Sequence, residues 1–246
     1  MTALAGGTGS AKLLRGLSDV GVELTVVANV GDNYWVYGLY VCPDVDIATY
    51  ALAGVLDSRR GWGVKEDSFA ALESLRALGG ETWFRLGDKD MATSIRRTEL
   101  LSAGKTLTEA TDAIRASLGI KARVLPCTDS QVMTEIRCGG RWIHLQEFWV
   151  RDRGAPEVEG VRYRGARGAR ATDEVKDAIA RADVVVVCPA NPITSIGPML
   201  AVGGVGAALR ATSARVVAVS PMVGTTPFSG PAGKLMRSLR LETTSV

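Results

Sequence analysis

Three loops in this sequence carry residues suited to binding phosphate groups. They span Gly6–Lys12, Asn191–Pro198 and Ser229–Lys234, and each comes at or shortly after the end of an apolar, strand-like segment. Glycine lets the backbone approach a phosphate closely, and a helix N-terminus presents free N–H groups to an anion. The three loops together predict a site for a phosphorylated ligand.

The residues that we expect to contact phosphate come from all three loops. They are Gly7, Thr8, Gly9, Lys12, Asn191, Thr194, Ser195, Gly230, Gly233 and Lys234. The first loop is neither a P-loop nor a complete dinucleotide fingerprint, because Lys12 stands where the third glycine belongs. Taken alone it is equally typical of an ordinary tight turn, so the prediction depends on the recurrence of such loops.

Two carboxylates near the first loop form the second constellation. Asp44 and Asp46 flank one residue, and this spacing suits a shared magnesium ion or hydrogen bonds to the hydroxyls of a substrate. Asp32 follows the second strand-like segment and is expected at the same edge of the sheet. The alternative is that Asp44 or Asp46 only caps the following helix, which is favoured for an isolated pair.

Other polar and aromatic residues of the N-terminal half have open alternatives. Arg85 and Asp88 could clamp an anion and bind a metal or a hydroxyl, or they could form a charged helix cap. Trp35, Trp62 and Trp83 lie near polar turns, where a flat aromatic substrate could stack. Packing in the core or at its rim explains them equally well without a ligand.

The single histidine and the arginine-rich stretch favour structural interpretations. His144 alternates with Ile143 and Leu145 in a strand-like segment, so a structural role is favoured over a catalytic one, which argues against a Ser-His-Asp triad. Arginines recur between positions 151 and 170, where a solvated loop is the favoured interpretation. A subunit interface or the rim of an anion site is the alternative.

The elements that would position these residues alternate between strand and helix. Residues 3–29 follow a strand, turn, helix, strand order, with the helix predicted over Lys12–Leu17, and this order is typical of a βαβ unit and a parallel sheet. The region of roughly 46–120 is mostly helical in pattern and predicts an insertion, with a capping box from Thr106 to Glu109. The uninterrupted Val184–Val187 run predicts a strand buried on both faces, and Cys138–Arg141 predicts a hairpin turn between two strands. We expect one α/β domain over 1–246.

Composition and charge exclude several classes of protein. The net charge of +3 over 246 residues gives no basic footprint for nucleic acid. No apolar segment is long enough to cross a bilayer, and the N-terminus lacks the features of a signal peptide. The four cysteines have no close pairing typical of zinc or redox sites, and Cys138 and Cys188 are expected to pack as small core residues. A cytoplasmic protein is therefore expected.

A set of longer motifs resembles one known family, the 2-phospholactate (or phosphoenolpyruvate) transferases of coenzyme F-420 biosynthesis. The matching segments occur in the order of that family and cover nearly the whole chain. They are Gly6–Gly9, Trp35–Gly38, Val41–Asp46, Gly61–Gly63, Trp83–Thr93, Gln146–Val150, Asn191–Pro198 and Ser229–Met236.

The resemblance implies a Rossmann-like fold, a homodimer and a transferase reaction that uses magnesium. Such enzymes move a phospholactyl or phosphoenolpyruvyl group from a guanosine diphosphate-linked donor to the deazaflavin Fo and release GMP. It implies that Asp46 and Arg85 contact Fo, with Trp35 beside them. As hypotheses, Asp44 and Asp46 hold magnesium or orient the attacking hydroxyl, and Lys12 and Lys234 neutralise the diphosphate.

The sequence departs from that family in two places and leaves alternatives open. The family continues well beyond the last motif, so a short C-terminus and uncovered apolar surface are expected here. Asp32–Trp35 also differs from the usual acidic, aliphatic, tryptophan form. A related family of non-catalytic sugar-nucleotide-binding regulators, or a silent member that only binds nucleotide, is the alternative. The sequence does not distinguish a phospholactyl from a phosphoenolpyruvyl group.

Overall fold

A parallel five-stranded sheet forms the centre of the computed structural model, which describes residues 1–224, 226–227 and 232–242. Its strands are β1 (Thr2–Ala5), β2 (Thr25–Ala28), β5 (Arg123–Pro126), β9 (Val184–Val187) and β10 (Arg215–Ala218). The other described strands are β3 (Tyr34–Val36), β4 (Leu39–Val41), β6 (Met133–Cys138), β7 (Arg141–His144), β8 (Gly160–Arg164), β11 (Met222–Val223) and β12 (Thr226–Pro227). The α/β class with a parallel-sheet core is confirmed.

Helices surround this sheet. They are α1 (Gly7–Asp19), α2 (Pro43–Leu52), α3 (Ala70–Ala77), α4 (Asp88–Ser102), α5 (Leu107–Ser117), α6 (Asp173–Ala180), α7 (Gly197–Ala201), α8 (Val205–Ala211) and α9 (Ala232–Ser238). Two π-helical turns span Glu147–Arg151 and Pro192–Ile196. Within the described ranges, every helix is too short or too polar to span a bilayer.

The apolar strands form the main core because a parallel sheet is covered on both faces. Leu4, Val26, Val27 and Val185 are fully buried, as the uninterrupted valine run predicted for β9. The edge strand β10 differs, since all of its residues are exposed. Its backbone pairs only with β9 among the described strands.

The order of the strands creates a crevice at one point of the sheet. The order is β10-β9-β1-β2-β5, so the chain builds outward from β1 to β5 and then returns to the other side of β1. In open α/β sheets, ligands bind beyond the carboxyl ends of the strands where the order reverses. Here that point lies between β1 and β9.

The long connection between β2 and β5 carries the helices predicted for roughly 46–120. It begins with the antiparallel β3–β4 hairpin, and its helices α2 to α5 lie between 43 and 117. The predicted capping box is confirmed: Thr106 accepts from the Glu109 amide, and the Glu109 side chain accepts from the Thr106 amide. This connection places α2 beside α1 at the edge of the crevice.

A smaller antiparallel sheet, β7-β6-β8, packs against the C-terminal helix α9. The predicted hairpin between β6 and β7 turns at Gly139 and Gly140, whose φ angles of 55° and 72° favour glycine. Ile136 of β6, Phe148 of the first π-helical turn and Leu235 of α9 are all fully buried. This packing holds the segment that follows β7 beside the crevice.

All four cysteines are free thiols. Cys42, Cys127 and Cys188 are buried, and burial raises the pKa of each to about 12. Cys138 is partly buried. They pack as small core residues, as the sequence predicted for Cys138 and Cys188.

Candidate functional site

A cavity of about 530 Å³ opens at the crevice between β1 and β9. Its size is within the range of sites for small molecules and cofactors. Segments far apart in sequence meet there, and the residues that line it include Gly7, Asp44, Asp46, Trp83, Asn191 and Ser195. The cavity is the candidate functional site.

Gly7 and Gly9 of the first loop lie in the first turn of α1, and Gly6 directly precedes the helix. Gly6 has no room for a side chain, because a Cβ would meet the Ser195 Cβ at 2.6 Å and the Asp44 Oδ2 at 2.8 Å. A Cβ on Gly9 would overlap the Pro189 carbonyl oxygen. These glycines therefore bring the ends of β1 and β9 into contact, a role that motif reasoning did not assign to them.

The second loop forms the π-helical turn at Pro192–Ile196. The Asn191 Oδ1 accepts hydrogen bonds from the amides of Ile193 at 2.9 Å and Thr194 at 3.3 Å, which caps the turn. The Tyr163 hydroxyl donates to the Ile193 carbonyl at 2.6 Å. Asn191, Thr194 and Ser195 all line the cavity, so these predicted residues lie beside Gly7–Gly9.

Asn29 links the two carboxylates on this side of the cavity. Its Nδ2 donates to Asp44 Oδ2 at 2.8 Å, to Asp32 Oδ1 at 3.1 Å and to the Thr194 carbonyl at 3.1 Å. The Gly7 amide donates to Asp44 Oδ1 at 2.7 Å. Asp44 therefore ties α2 to the start of α1 and to the residue after β2, and no side-chain cap of α2 forms.

Burial makes both of these carboxyls unusually basic. Desolvation raises the pKa of Asp44 to about 6, although the hydrogen bonds from Asn29 and Gly7 oppose that rise. Desolvation and the neighbouring Asp44 charge raise the pKa of Asp32 well above its ordinary range. Two buried carboxylates that share one amide have an electrostatic environment that a cation would relieve.

Asp46 lies in the cavity wall but has a different partner. It forms a buried ion pair with Arg97 of α4, and both side chains are almost fully buried. The Asp46 Oδ2 has no hydrogen-bond partner within the described residues. Burial raises the pKa of Asp46 despite the guanidinium beside it.

Two further polar residues lie beside this ion pair and were not identified from the sequence. The Tyr50 hydroxyl donates to Asp90 Oδ1 at 2.8 Å, and both residues line the cavity. Desolvation, together with the Asp46 charge, raises the pKa of Asp90 to about 7. Arg97 and Tyr50 lie inside ordinary helical patterns, so no sequence signal distinguished them from surface positions.

Aromatic side chains form the wall on the far side of the cavity. Trp62, Trp83, Phe84 and Trp149 line it, together with Arg85, whose guanidinium lies 4.5 Å from the Phe69 ring centroid. Trp35 lies elsewhere: it is 52% exposed and lines a separate groove on the outside of the β3–β4 hairpin. The structure thus brings Arg85 to the cavity but not Trp35.

The two lysines of the predicted phosphate site do not line the cavity. Lys12 is exposed on α1. The Lys234 Nζ donates to the carbonyls of Gly154 at 2.7 Å and Ala155 at 3.0 Å, which ties α9 to the segment after the first π-helical turn. Gly233 is buried in α9, and Gly230 falls outside the described residues.

His144 is structural in this fold. Its Nδ1 accepts from the Gln146 amide at 3.1 Å, and its ring lies 4.5 Å from the Tyr34 ring. Desolvation lowers its pKa to about 4, so the imidazole is neutral near pH 7. Within the described residues, no three histidine, cysteine, aspartate or glutamate side chains are grouped to hold a metal ion.

Known proteins resemble this chain over its whole length. A family model described as 2-phospho-L-lactate transferase CofD matches residues 1–245. The 2-phospho-L-lactate transferase of Methanopyrus kandleri is 44% identical over 243 residues, which cover 98% of this chain and 78% of that protein. The phosphoenolpyruvate transferase of Kitasatospora aureofaciens is 40% identical, with 100% of this chain and 79% of that protein covered.

A solved structure supports the fold alone. Protein BH3568 from Bacillus halodurans, a member of the UPF0052 family, superposes with a TM-score of 0.61 at 20% identity. The superposition covers 88% of this chain and 67% of that one. The family model and the identities of 44% and 40% over nearly the whole chain show the family: the chain belongs to the 2-phospho-L-lactate transferase CofD family, whose members transfer a phosphorus-containing group.

Proposed function

We propose that this protein transfers a 2-phospholactyl or phosphoenolpyruvyl group from a guanosine diphosphate-linked donor to the deazaflavin Fo, with release of GMP. The observation that carries the proposal is the cavity at the β1–β9 crevice. It joins a wall of close-packed backbone at Gly6–Gly9 and Asn191–Ser195 to a wall of tryptophans. The first suits a diphosphate, and the second suits a flat ring system.

The diphosphate is proposed to lie between the first turn of α1 and the π-helical turn after β9. Thr8, Asn191, Thr194 and Ser195 offer hydroxyl and amide groups to it there. Because Lys12 and Lys234 do not line the cavity, backbone and side-chain dipoles would supply most of the binding on this side. A charge-neutralising role for those lysines is therefore not part of the proposal.

The pair of Asp44 and Asp32 fits a magnesium ion better than the pair of Asp44 and Asp46. Asp32 and Asp44 share Asn29 and form no ion pair with any described residue, whereas Arg97 neutralises Asp46. Magnesium is commonly held by one or two carboxylates plus substrate phosphates, so a pair is sufficient. When bound, the ion would neutralise charge on the phosphates.

The acceptor is proposed to lie against the tryptophan wall with its hydroxyl directed toward Asp46. The buried Oδ2 of Asp46, which has no hydrogen-bond partner in the described part of the chain, can accept a hydrogen bond from that hydroxyl. Arg97 fixes the orientation of the carboxylate through the other oxygen. Arg85 lies at the same end of the cavity, where its guanidinium can contact the acceptor ring or its substituents.

The reaction is an in-line displacement at the phosphorus that bears the lactyl or enolpyruvyl group. The acceptor oxygen bonds to that phosphorus, the bond to the GMP oxygen breaks, and the hydroxyl proton passes to a carboxylate such as Asp46. The elevated pKa of Asp46 makes it a better proton acceptor than an exposed aspartate. Catalysis in such transfers comes mostly from positioning and charge stabilisation.

A turnover assay tests the proposal. Purified protein is mixed with Fo, magnesium and either of the two guanosine diphosphate-linked donors, and GMP and the deazaflavin product are separated by chromatography. We expect GMP release that requires Fo and yields one product molecule per GMP. Binding of GDP without turnover, with both donors, would instead favour a nucleotide-binding protein without catalytic activity.

A further inference from the structure

Among the residues that the structure describes, Arg153 is the cationic residue of the cavity that has neither a carboxylate nor an aromatic partner. The lining includes four carboxylates, from Asp32, Asp44, Asp46 and Asp90, but the only cationic side chains among its described residues are Arg85 and Arg153. Arg85 stacks on Phe69. In the part of the chain that the structure describes, no carboxylate or aromatic ring contacts the Arg153 guanidinium.

The backbone at Arg153 adopts a conformation that ordinary residues rarely take. Its φ angle is 54°, in the left-handed region, and Gly154 follows with a φ angle of 62°. Such a conformation at a long side chain costs free energy and persists only where the surroundings enforce it. It turns the chain sharply at the rim of the cavity.

Contacts on both sides hold this turn in place. The Gly154 amide donates to the Phe148 carbonyl at 2.7 Å, and a Cβ on Gly154 would lie 2.8 Å from the Trp149 ring. The Lys234 Nζ donates to the carbonyls of both Gly154 and Ala155. The position of Arg153 is therefore fixed by α9 and by the π-helical turn.

The neighbouring Arg151 differs from Arg153 because its charge is neutralised by carboxylates of the same segment. The Arg151 guanidinium pairs with Glu147 at 3.0 Å and with Asp152 at 2.9 Å, and it lies 5.9 Å from the Trp83 ring centroid. It does not line the cavity. Arg153, two residues later, lines the cavity and has neither kind of partner within the described ranges.

We infer that Arg153 binds the carboxylate of the transferred group, an inference that rests on the proposed function. A guanidinium matches a carboxylate with two parallel hydrogen bonds, and the diphosphate already has the backbone of the β1 and β9 loops. A lactyl or enolpyruvyl group differs from a simple phosphate ester by its carboxylate. Arg153 would thus determine specificity for an acidic transferred group.

The test compares three ligands on three proteins by calorimetric titration. The ligands are the lactyl-diphosphoguanosine donor, its isopropyl analogue in which a methyl group replaces the carboxylate, and GDP. The proteins are the wild type, Arg153→Asn and Arg151→Gln. Asparagine tolerates the left-handed backbone, so Arg153→Asn removes the guanidinium while keeping the turn. Thermal unfolding of each variant checks that the fold is retained.

We expect Arg153→Asn to weaken binding of the lactyl donor by roughly ten- to a hundredfold, the range for hydrogen bonds to a charged group. Binding of the isopropyl analogue and of GDP should not change, and Arg151→Gln should resemble the wild type. An Arg153→Lys variant, which keeps the charge but loses the planar fork, should recover only part of the preference.

Three results would overturn the inference. The first is a wild type that binds the lactyl donor no better than the isopropyl analogue, and the second is an Arg153→Asn variant that keeps the wild-type preference. The third is equal weakening of all three ligands, which would indicate a general effect on the nucleotide. A wild type that binds GDP and both donors but never releases GMP would contradict the proposed function without removing a carboxylate preference.

Discussion

The Asn29 side-chain amide donates a 2.8 Å hydrogen bond to Asp44 Oδ2, and through this bond the end of β2 holds the first turn of α2. The same nitrogen also contacts Asp32 and the Thr194 carbonyl, so one buried amide connects three segments that line the cavity. The candidate site is organised around an uncharged residue that separates two like charges.

Replacing Asn29 by alanine tests how much its side-chain amide contributes to the stability of the fold. Asn29→Ala leaves Asp44 Oδ2, Asp32 Oδ1 and the Gly31 amide without their present partner, so we expect a loss of about 1–3 kcal/mol in the free energy of unfolding. Urea denaturation measures it as a lower midpoint with an unchanged m-value. Asn33→Ala, which removes only a 3.3 Å contact with Tyr40, should cost less. Equal costs for the two variants would refute this role.

The Asp46–Arg97 pair allows stability and turnover to be separated. Asp46→Asn leaves a buried guanidinium without its ion-pair partner, which typically costs about 3–5 kcal/mol. An Asp46→Asn, Arg97→Met double variant removes both charges and should recover much of that loss. Chemical denaturation of the single and double variants measures the coupling between the two residues.

The double variant then serves as a folded protein for the catalytic test. If Asp46 orients the acceptor hydroxyl, the double variant should bind GDP with near wild-type affinity but release no measurable GMP. Recovery of turnover together with stability would show that Asp46 acts only through the fold.

The elevated pKa of Asp44 predicts a particular dependence of stability on pH. The folded carboxyl has a pKa of about 6, above its value of about 4 in the unfolded chain, so it binds its proton more tightly when folded. Unfolding then releases a proton between these values, and this group's contribution to stability falls as pH rises from about 4 to about 6. Denaturant melts at several pH values should show a flatter profile for Asp44→Asn than for the wild type. An unchanged slope would contradict the assignment.

The same carboxyl predicts how a bound cation would respond to pH. Protons and magnesium compete for Asp44, so the magnesium concentration that gives half-maximal turnover should rise as pH falls below about 6. Assays at pH 5.5 and 7.5 with titrated magnesium measure this shift. A requirement independent of pH in the wild type would remove Asp44 from the proposed ligands.

Two glycines of the same helix should respond in opposite directions to an added methyl group. Gly9→Ala would force a Cβ into the Pro189 carbonyl, so we expect lower stability and weaker GDP binding. Gly16→Ala meets nothing within 4 Å inside α1, so it should stabilise the protein by about 0.5–1 kcal/mol. Thermal melts and GDP titrations of both variants test the contrast. Similar behaviour of the two would mean that the β1–β9 contact can adjust.

Much of the fold followed from local patterns because its strands and helix ends have strong local signals. The Val184–Val187 run, the capping box at Thr106 and the hairpin turn at Gly139 all formed where the sequence indicated. The first α-helix was predicted from Lys12 but begins at Gly7. Glycine has a low helix propensity, so there was no local signal for a helix at these positions. Glycine is required at position 9 because the Pro189 carbonyl oxygen packs against it.

The sequence identified several residues that line the cavity, but it did not identify their ion-pair and hydrogen-bond partners. Asp44, Asp46 and Arg85 were singled out and all line the cavity, yet the partner of Asp46 lies on α4, far along the chain. The same limit applies to Lys234, which donates to the Gly154 carbonyl. These two residues are far apart in the sequence, and no local pattern indicates that they meet. Spacing along the chain identifies candidate groups, whereas the choice among charged partners is made by tertiary packing.

Because Cys42, Cys127 and Cys188 are buried free thiols, the rate at which each is labelled reports how often the surrounding core opens. A thiol with a pKa of about 12 and no solvent contact should not react with an aromatic disulfide reagent near neutral pH until the surrounding core opens. Cys127 follows β5, Cys188 follows β9 and Cys42 precedes α2, so the three sample different parts of the molecule. The order in which they become labelled in mild denaturant would therefore map which side of the cavity loosens first, without any introduced dye or spin label.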